Sequence, residues 1–216
     1  MTTPMLFDYY RSSACYRVRI ALNLKAIDHN SAAIDLAAGA QKADAYRAQN
    51  PQGFVPMLDI DGQRLTQSIA IIAYLEATRP EPALLPRDPA DAAHVHALAL
   101  TIACDIHPLN NLRVLKYLSG PLGQTEQVRD DWYRHWIAEG LRALEAIAAP
   151  RAGRFLFGDA LSLADVCLVP QIYNARRFDV PLDDYPLLLR ADAAACALDA
   201  FANAHPDRVA AISRGE

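Results

Sequence analysis

Three short segments carry residues whose types and spacing suit chemistry. The first is Arg11-Ser-Ser-Ala-Cys-Tyr-Arg17, two hydroxyls and a thiol at the expected start of a helix. The free N–H groups and the dipole of a helix start attract negative charge. A thiolate placed there is stabilised, and its pKa falls. Ser12 or Ser13 can donate a hydroxyl hydrogen bond to such a thiolate; plain helix capping accounts for the same residues. Ser12-x-x-Cys15 has the spacing of a redox Cys-x-x-Cys with its first cysteine replaced, and one cysteine cannot cycle a dithiol. Cys15 falls inside the first helical turn and reads as a small packed side chain rather than a nucleophile. The second segment is Asn50-Pro-Gln-Gly-Phe-Val-Pro56. A cis Val55–Pro56 bond would leave the Val55 N–H and C=O unpaired at the rim. There they can take an extended peptide backbone as an added strand does; the alternative is an ordinary turn proline. The third segment is Gln67-Ser68, before a later helix. Ser68 and its neighbouring N–H suit a carboxylate, and Gln67 suits an amino acid headgroup, or the pair simply caps the helix.

The elements that must position these segments follow from pattern. Residues 5–8 are a short apolar run and read as a buried strand. Residues 15–25 read as a helix with Val18, Leu22 and Lys25 on one face. Residues 29–34 are a weak strand and 43–49 a short polar helix. Residues 55–60 and 63–66 are strands joined by an Asp61-Gly62 hairpin turn, and 68–78 is a helix capped by Ser68. The order βαβαββα, with a parallel first crossover and an antiparallel hairpin, is the thioredoxin-like arrangement. It puts the three segments at one end of one sheet, where they describe a site for a short acidic peptide bearing a thiol. Pro80, Pro82, Pro86 and Pro89 then make a stiff linker. Residues 92–118, 125–149, 163–176 and 187–204 all read as helices. The expected fold class is α/β plus all-α: a thioredoxin-like domain over 1–80, a linker over 81–90 and a helical bundle domain over 91–216. Ser162-Leu-Ala-Asp165 is a capping box, so Asp165 reads as structural rather than as a base.

Composition bounds the partners. The 216 residues are 52% hydrophobic, which suits a globular chain. A net charge of −4 argues against a general nucleic-acid or membrane-surface partner, while leaving room for a local basic pocket. No basic region followed by an apolar core opens the chain, and no stretch approaches ~18 uninterrupted apolar residues. Neither a secretion signal nor a membrane span is expected. Cys15, Cys104, Cys167 and Cys196 are too scattered for a disulfide framework or a zinc site. No metal is expected, the last three cysteines read as buried core thiols, and a reducing cytoplasm fits.

On these motifs the chain resembles the glutathione transferases, and within them the zeta class, which contains maleylacetoacetate isomerase and the bacterial maleylpyruvate isomerases. The resemblance is carried by Arg-Ser-Ser-x-x-Tyr-Arg-Val-Arg-Ile-Ala-Leu from Arg11 to Leu22, by Asn50-Pro51, Val55-Pro56 and Gln67-Ser68-x-Ala-Ile-Ile72. It continues through Thr78-Arg-Pro80, Leu84-Leu-Pro86, His107-Pro-Leu-Asn-Asn111, Leu163-Ala-Asp-x-Cys-Leu-Val-Pro-Gln171 and Arg177-Phe178, covering nearly the whole chain. It implies that Ser12 and Ser13 meet the sulfur of glutathione, that Val55 pairs with its cysteinyl backbone, and that Gln67 and Ser68 hold its γ-glutamyl end. It also implies that His107, and Asn111 to Arg113, close the site from the helical domain; some relatives carry Gln where His107 stands. The class pattern Ser-Ser-Cys here reads Ser12-Ser13-Ala14, with Cys15 one place later. One helical position is a rotation of roughly 100°, so the class cysteine's role does not transfer to Cys15.

The implied activity is glutathione-dependent cis–trans isomerisation of a small diacid. The glutathione thiolate adds to a conjugated cis alkene, the resulting single bond rotates, and loss of the thiolate leaves the trans alkene. Arginine clamps carboxylates bidentately. Arg11 and Arg177 match positions that the resemblance links to substrate carboxylates, with Arg176 the alternative because adjacent helical residues point apart; each also reads as a surface ion pair. Maleylacetoacetate, from tyrosine and phenylalanine breakdown, is the expected substrate. Maleylpyruvate, from gentisate breakdown, is the alternative toward which residues 104–111 lean, and general conjugation is a third. Intact Ser12, Val55, Gln67 and Ser68 argue against a non-catalytic module. The resemblance implies a homodimer.

Overall fold

A computed structural model describes residues 2–214, with side chains through Ala211. Met1 and residues 215 and 216, the ends of the two expected domains, lie outside the described residues. The strands are β1 (Met5–Asp8), β2 (Asn30–Ala33), β3 (Met57–Ile60) and β4 (Gln63–Thr66). The helices are α1 (Ser13–Leu24), α2 (Asp44–Arg47), α3 (Ser68–Thr78), α4 (Pro89–Leu100), α5 (Leu112–Ser119), α6 (Glu126–Ala148), α7 (Leu163–Arg177), α8 (Pro186–Cys196), α9 (Asp199–Ala204) and α10 (Pro206–Arg214). They form two compact units. One comprises the residues up to Ala83 together with those from Leu198 on; the other is Leu84–Ala197. The C-terminal segment expected in the helical domain therefore groups with the first unit.

In the first unit the sheet order is β2-β1-β3-β4, with β1 parallel to β2 and the other pairs antiparallel. This is the expected thioredoxin-like arrangement. Asp61 and Gly62, at φ 53° and 74°, supply the two left-handed residues of the β3–β4 turn. β3 begins at Met57 rather than Val55, because Pro56 has no N–H to offer the ladder; the Val55–Pro56 peptide is cis. Helix α1 is buried on nearly every side, including Arg17 and Arg19. Buried charges need partners. Arg19 Nη1 donates to both Asp8 carboxylate oxygens, at 2.7 and 2.9 Å, and its Nε donates to the Ala204 carbonyl at 3.1 Å. Asn23 Nδ2 reaches the Ala200 carbonyl at 2.9 Å. These bonds hold the tail over α1, which explains why the tail belongs to this unit. The expected helix over 187–204 breaks where Leu198 turns extended, at φ −89° and ψ 135°.

In the second unit the expected helix over 92–118 is not continuous. After α4 the chain widens into a π-helical segment, Thr101–Ile106, and tightens into a 3₁₀ turn, His107–Asn110. Pro108 has no N–H for the carbonyl four residues back, so regular winding cannot pass through it. Asn111 is extended and restarts the helix as the cap of α5. Gly140 of α6 makes room for the π segment: a Cβ there would lie 2.2 Å from Ile106 Cγ1. α7 is the core helix, almost wholly buried from Leu163 to Ala175. Its start is the expected capping box. Asp165 Oδ1 accepts the Leu156 N–H and Oδ2 accepts the Ser162 N–H, each at 2.9 Å. Burial raises the Asp165 carboxyl pKa, and these bonds oppose the rise. Cys167 is buried, but Cys104 and Cys196 are exposed, which corrects the expectation that both were core thiols. Among the described residues, no helix is long and apolar enough to cross a membrane.

Candidate active site

Strand register assembles the first cluster. Phe7 pairs with Met57, and Met57 pairs with Thr66. The end of β1, the start of β3 and the end of β4 therefore lie on one line across the sheet. The chain leaving or entering there carries Ser12-Ser13, Val55 and Gln67-Ser68. Ser12 is the cap of α1, and its Oγ accepts the Cys15 N–H at 3.3 Å. A hydroxyl that accepts one bond keeps its own proton to donate to another group. Capping and donation to an anion are therefore compatible at this residue. Ser13 is buried in the first turn. Just ahead of Val55, Tyr46 Oη and Asn50 Nδ2 both donate to the Phe54 carbonyl, at 2.6 and 2.8 Å, and fix the loop.

At α3 the roles differ from expectation. Gln67 is the cap residue, at φ 68°, and Ser68 is the first helical residue. The left-handed backbone of Gln67 ends β4 and starts the helix one residue early. Ser68 Oγ accepts from buried Arg17 Nη1 at 3.4 Å, and Gln67 Nε2 donates to Gln52 Oε1 at 2.8 Å. Arg11 is exposed, with its Nε bonded to Tyr10 Oη at 2.8 Å. One residue here had no sequence signal. Gln41 is buried, and its Oε1 has no hydrogen-bond partner among the described residues. Its backbone carbonyl lies 2.8 Å from where a Cβ on Gly53 would stand, so its turn packs directly on the loop before Val55.

Cys15 is fully buried. Burial, and then the Asp8 charge, push its thiol well above the ordinary range, against smaller opposing effects of Arg19 and Ser12. A thiol held neutral in this way is packing material and not a nucleophile at neutral pH.

The second unit holds the other candidates. His107 opens the 3₁₀ turn and is half-buried. Asn111 Oδ1 accepts the Arg113 N–H at 3.1 Å, so part of its amide is spent on capping α5. Arg113 is exposed on the first turn of that helix. At the end of α7 the two neighbouring arginines separate. Arg176 Nη2 is paired with Asp192 Oδ2 at 2.7 Å. Arg177 Nη1 bonds the neutral Asn174 Oδ1 at 3.2 Å, and no carboxylate among the described residues pairs with it. Its guanidinium lies 5.8 Å from the Tyr173 ring and 5.6 Å from the Phe178 ring. Tyr133 stacks on Phe178 with centroids 3.6 Å apart. Burial pushes the Tyr133 phenol up to about 12 against the pull of the Arg177 charge, so it stays protonated.

Residues 6–83 match the family model described as glutathione S-transferase, N-terminal domain, and residues 126–197 match the one described as its C-terminal domain. Together with the observed architecture, these matches define the class of fold. Among curated proteins, the maleylacetoacetate isomerase of Rhizobium meliloti (strain 1021) is 51% identical over 94% of this chain and 96% of its own. A maleylpyruvate isomerase of Ralstonia sp is 47% identical over 93% and 96%. Among solved structures, the holo form of a bacterial zeta-class maleylpyruvate isomerase superposes with a TM-score of 0.92 at 46% identity, covering 94% and 97% of the two chains. A maleylacetoacetate isomerase of Methylobacterium extorquens AM1 with bound malonate and glutathione gives 0.91 at 42% identity, with the same coverage. The chain belongs to the zeta-class glutathione transferase family, that of the maleylacetoacetate and maleylpyruvate isomerases.

Proposed function

We propose that the protein is a glutathione-dependent cis–trans isomerase of maleylacetoacetate, acting in tyrosine and phenylalanine breakdown. The carrying observation is the Phe7–Met57–Thr66 register, which brings Ser12, Val55 and Ser68 to one end of the sheet. The residues there fit glutathione. Ser12 has a proton to donate at a helix start, Ser68 opens a second helix start, and the buried Gln41 Oε1 awaits a donor. When bound, glutathione supplies a thiolate able to add to a conjugated alkene and leave again. Ser12, with Ser13 beside it, donates toward that sulfur, and the start of α1 favours its negative charge. Val55 offers its backbone N–H and C=O to the peptide. Gln67 and Ser68 hold its γ-glutamyl end, where the α3 start favours a carboxylate. His107, Asn111 and Arg113 are the further residues that the family resemblance assigns to glutathione. Arg11 and Arg177 hold the substrate carboxylates. Arg176, committed to Asp192, does not. The active form is a homodimer, and light scattering giving a monomer would refute that element alone.

Maleylpyruvate is the second reading, supported by the close match to the holo maleylpyruvate isomerase. One assay separates the readings: loss of absorbance of each cis substrate, with and without glutathione. Faster glutathione-dependent turnover of maleylacetoacetate supports the first. Preference for maleylpyruvate replaces it with the second. No turnover of either rejects isomerisation.

A further inference from the structure

An arginine that is to meet a carboxylate must be held, because ordering its long side chain costs conformational entropy. Arg177 is the last residue of α7, where helices fray. Beyond it the chain leaves the helix at once: Phe178 is the C-cap, at φ −109° and ψ 15°, and Asp179 has a positive φ of 53°. What holds this end comes from α6. Arg134 Nε donates to the Phe178 carbonyl at 2.8 Å. The ring of Tyr133, itself only 6% exposed, lies flat on the Phe178 ring, 3.6 Å away with 12° between planes. The same ring has the Arg177 guanidinium 5.6 Å from its centroid, and that guanidinium is also 5.8 Å from the Tyr173 ring and bonded to Asn174. The chain of contacts runs from a buried tyrosine, through the capping phenylalanine, to a guanidinium with no carboxylate partner among the described residues.

We propose that Tyr133 and Arg134 are positioning residues for recognition of the substrate carboxylate: by fixing Phe178 against α6, they hold the Arg177 guanidinium in place before the substrate arrives. This rests on the assignment of Arg177 to a substrate carboxylate. A preorganised cation lowers the entropic cost of binding, so the clamp acts on affinity for the diacid and not on glutathione.

The test is a double-mutant cycle. Tyr133→Leu keeps an apolar group and removes the flat ring; Tyr133→Phe keeps the ring. Each is made in the native and Arg177→Ala backgrounds, and KM is measured for the faster-turned-over cis diacid and for glutathione. Tyr133→Leu is expected to raise the diacid KM about tenfold, with the glutathione KM unchanged. Tyr133→Phe should behave as native, and Tyr133→Leu should add nothing in the Arg177→Ala background. Equal increases in both backgrounds, or a loss of thermal stability with both KM values unchanged, overturn the proposal. If Arg177→Ala alone leaves the diacid KM unchanged, the carboxylate assignment fails. The clamp is then read by NMR relaxation of the Arg177 Nε–H group: lower order in Tyr133→Leu supports it, and unchanged order refutes it.

Discussion

The start of α1 and the end of α7 are both prepared for charge, and they are built in opposite ways. At the start of α1 the attraction for an anion comes from backbone N–H groups, the helix dipole and a serine that caps with a lone pair while keeping its proton. At the end of α7 a side chain does the work: a guanidinium among aromatic rings, at the helix end whose dipole favours a cation. The anchors differ too. α1 is tied down by the buried Arg19–Asp8 pair, whereas Arg177 is held by rings and a neutral amide. The lesson is that an arginine without a resident carboxylate has its donors free of a competing anion, as the proposed substrate role of Arg177 asks. Arg19 and Arg176 have one, and Arg177 has none among the described residues.

The contrast can be broken at its anchors first. Asp8→Ala strands Arg19 in the interior, and breaking such a pair costs about 3–5 kcal/mol. A denaturation midpoint equal to the native one would show that α1 is not anchored there. Ser12→Ala removes both the cap and the donor. It should lower kcat by about 10²–10³-fold and move the rise of the pH–rate profile to higher pH; a full native rate would sink the donor assignment. Arg177→Ala should raise the diacid KM by about tenfold to a hundredfold, from charge-assisted hydrogen bonds worth about 1.5–3 kcal/mol. Arg176→Ala should change it by about twofold or less, and the reverse ranking would exchange their roles. The smallest effect on activity belongs to Cys15→Ala, which loses about 1 kcal/mol of packing with activity and the neutral pH–rate profile retained. Because burial raises the Cys15 thiol pKa, the folded protein holds that proton more tightly than the unfolded chain does. Stability therefore falls as pH rises above the ordinary thiol value of 9.0. Cys15→Ala should flatten that alkaline decline in a denaturation series.

Much of the first unit was legible in the sequence. The hairpin showed through Asp61-Gly62, and the three loops showed through residues that start helices or interrupt strands. In the second unit the capping box at Ser162 and Asp165 was equally plain. The breaks within residues 92–118 were not, because a run rich in Ala and Leu favours helix throughout, and the π segment depends on how Ile106 meets Gly140. Gln41 had no signal either: its burial comes from a turn packing on the Gly53 loop. The exposure of Cys104 and Cys196 depended on which helix faces found cover.

By itself the sequence determined the order of elements, the helix start at the Ser12 loop and the demotion of Cys15, because hydrophobic period, turn residues and helix-start chemistry are local. Only the tertiary structure decided that the tail from Leu198 covers α1, that Ser68 follows the cap instead of forming it, and that Arg176 rather than Arg177 is paired with a carboxylate. Two of these turn on a partner distant in the chain, Ala204 for Arg19 and Asp192 for Arg176, and the third on the positive φ that Gln67 adopts between β4 and α3. Such pairings follow from packing and strand register, which no local pattern encodes.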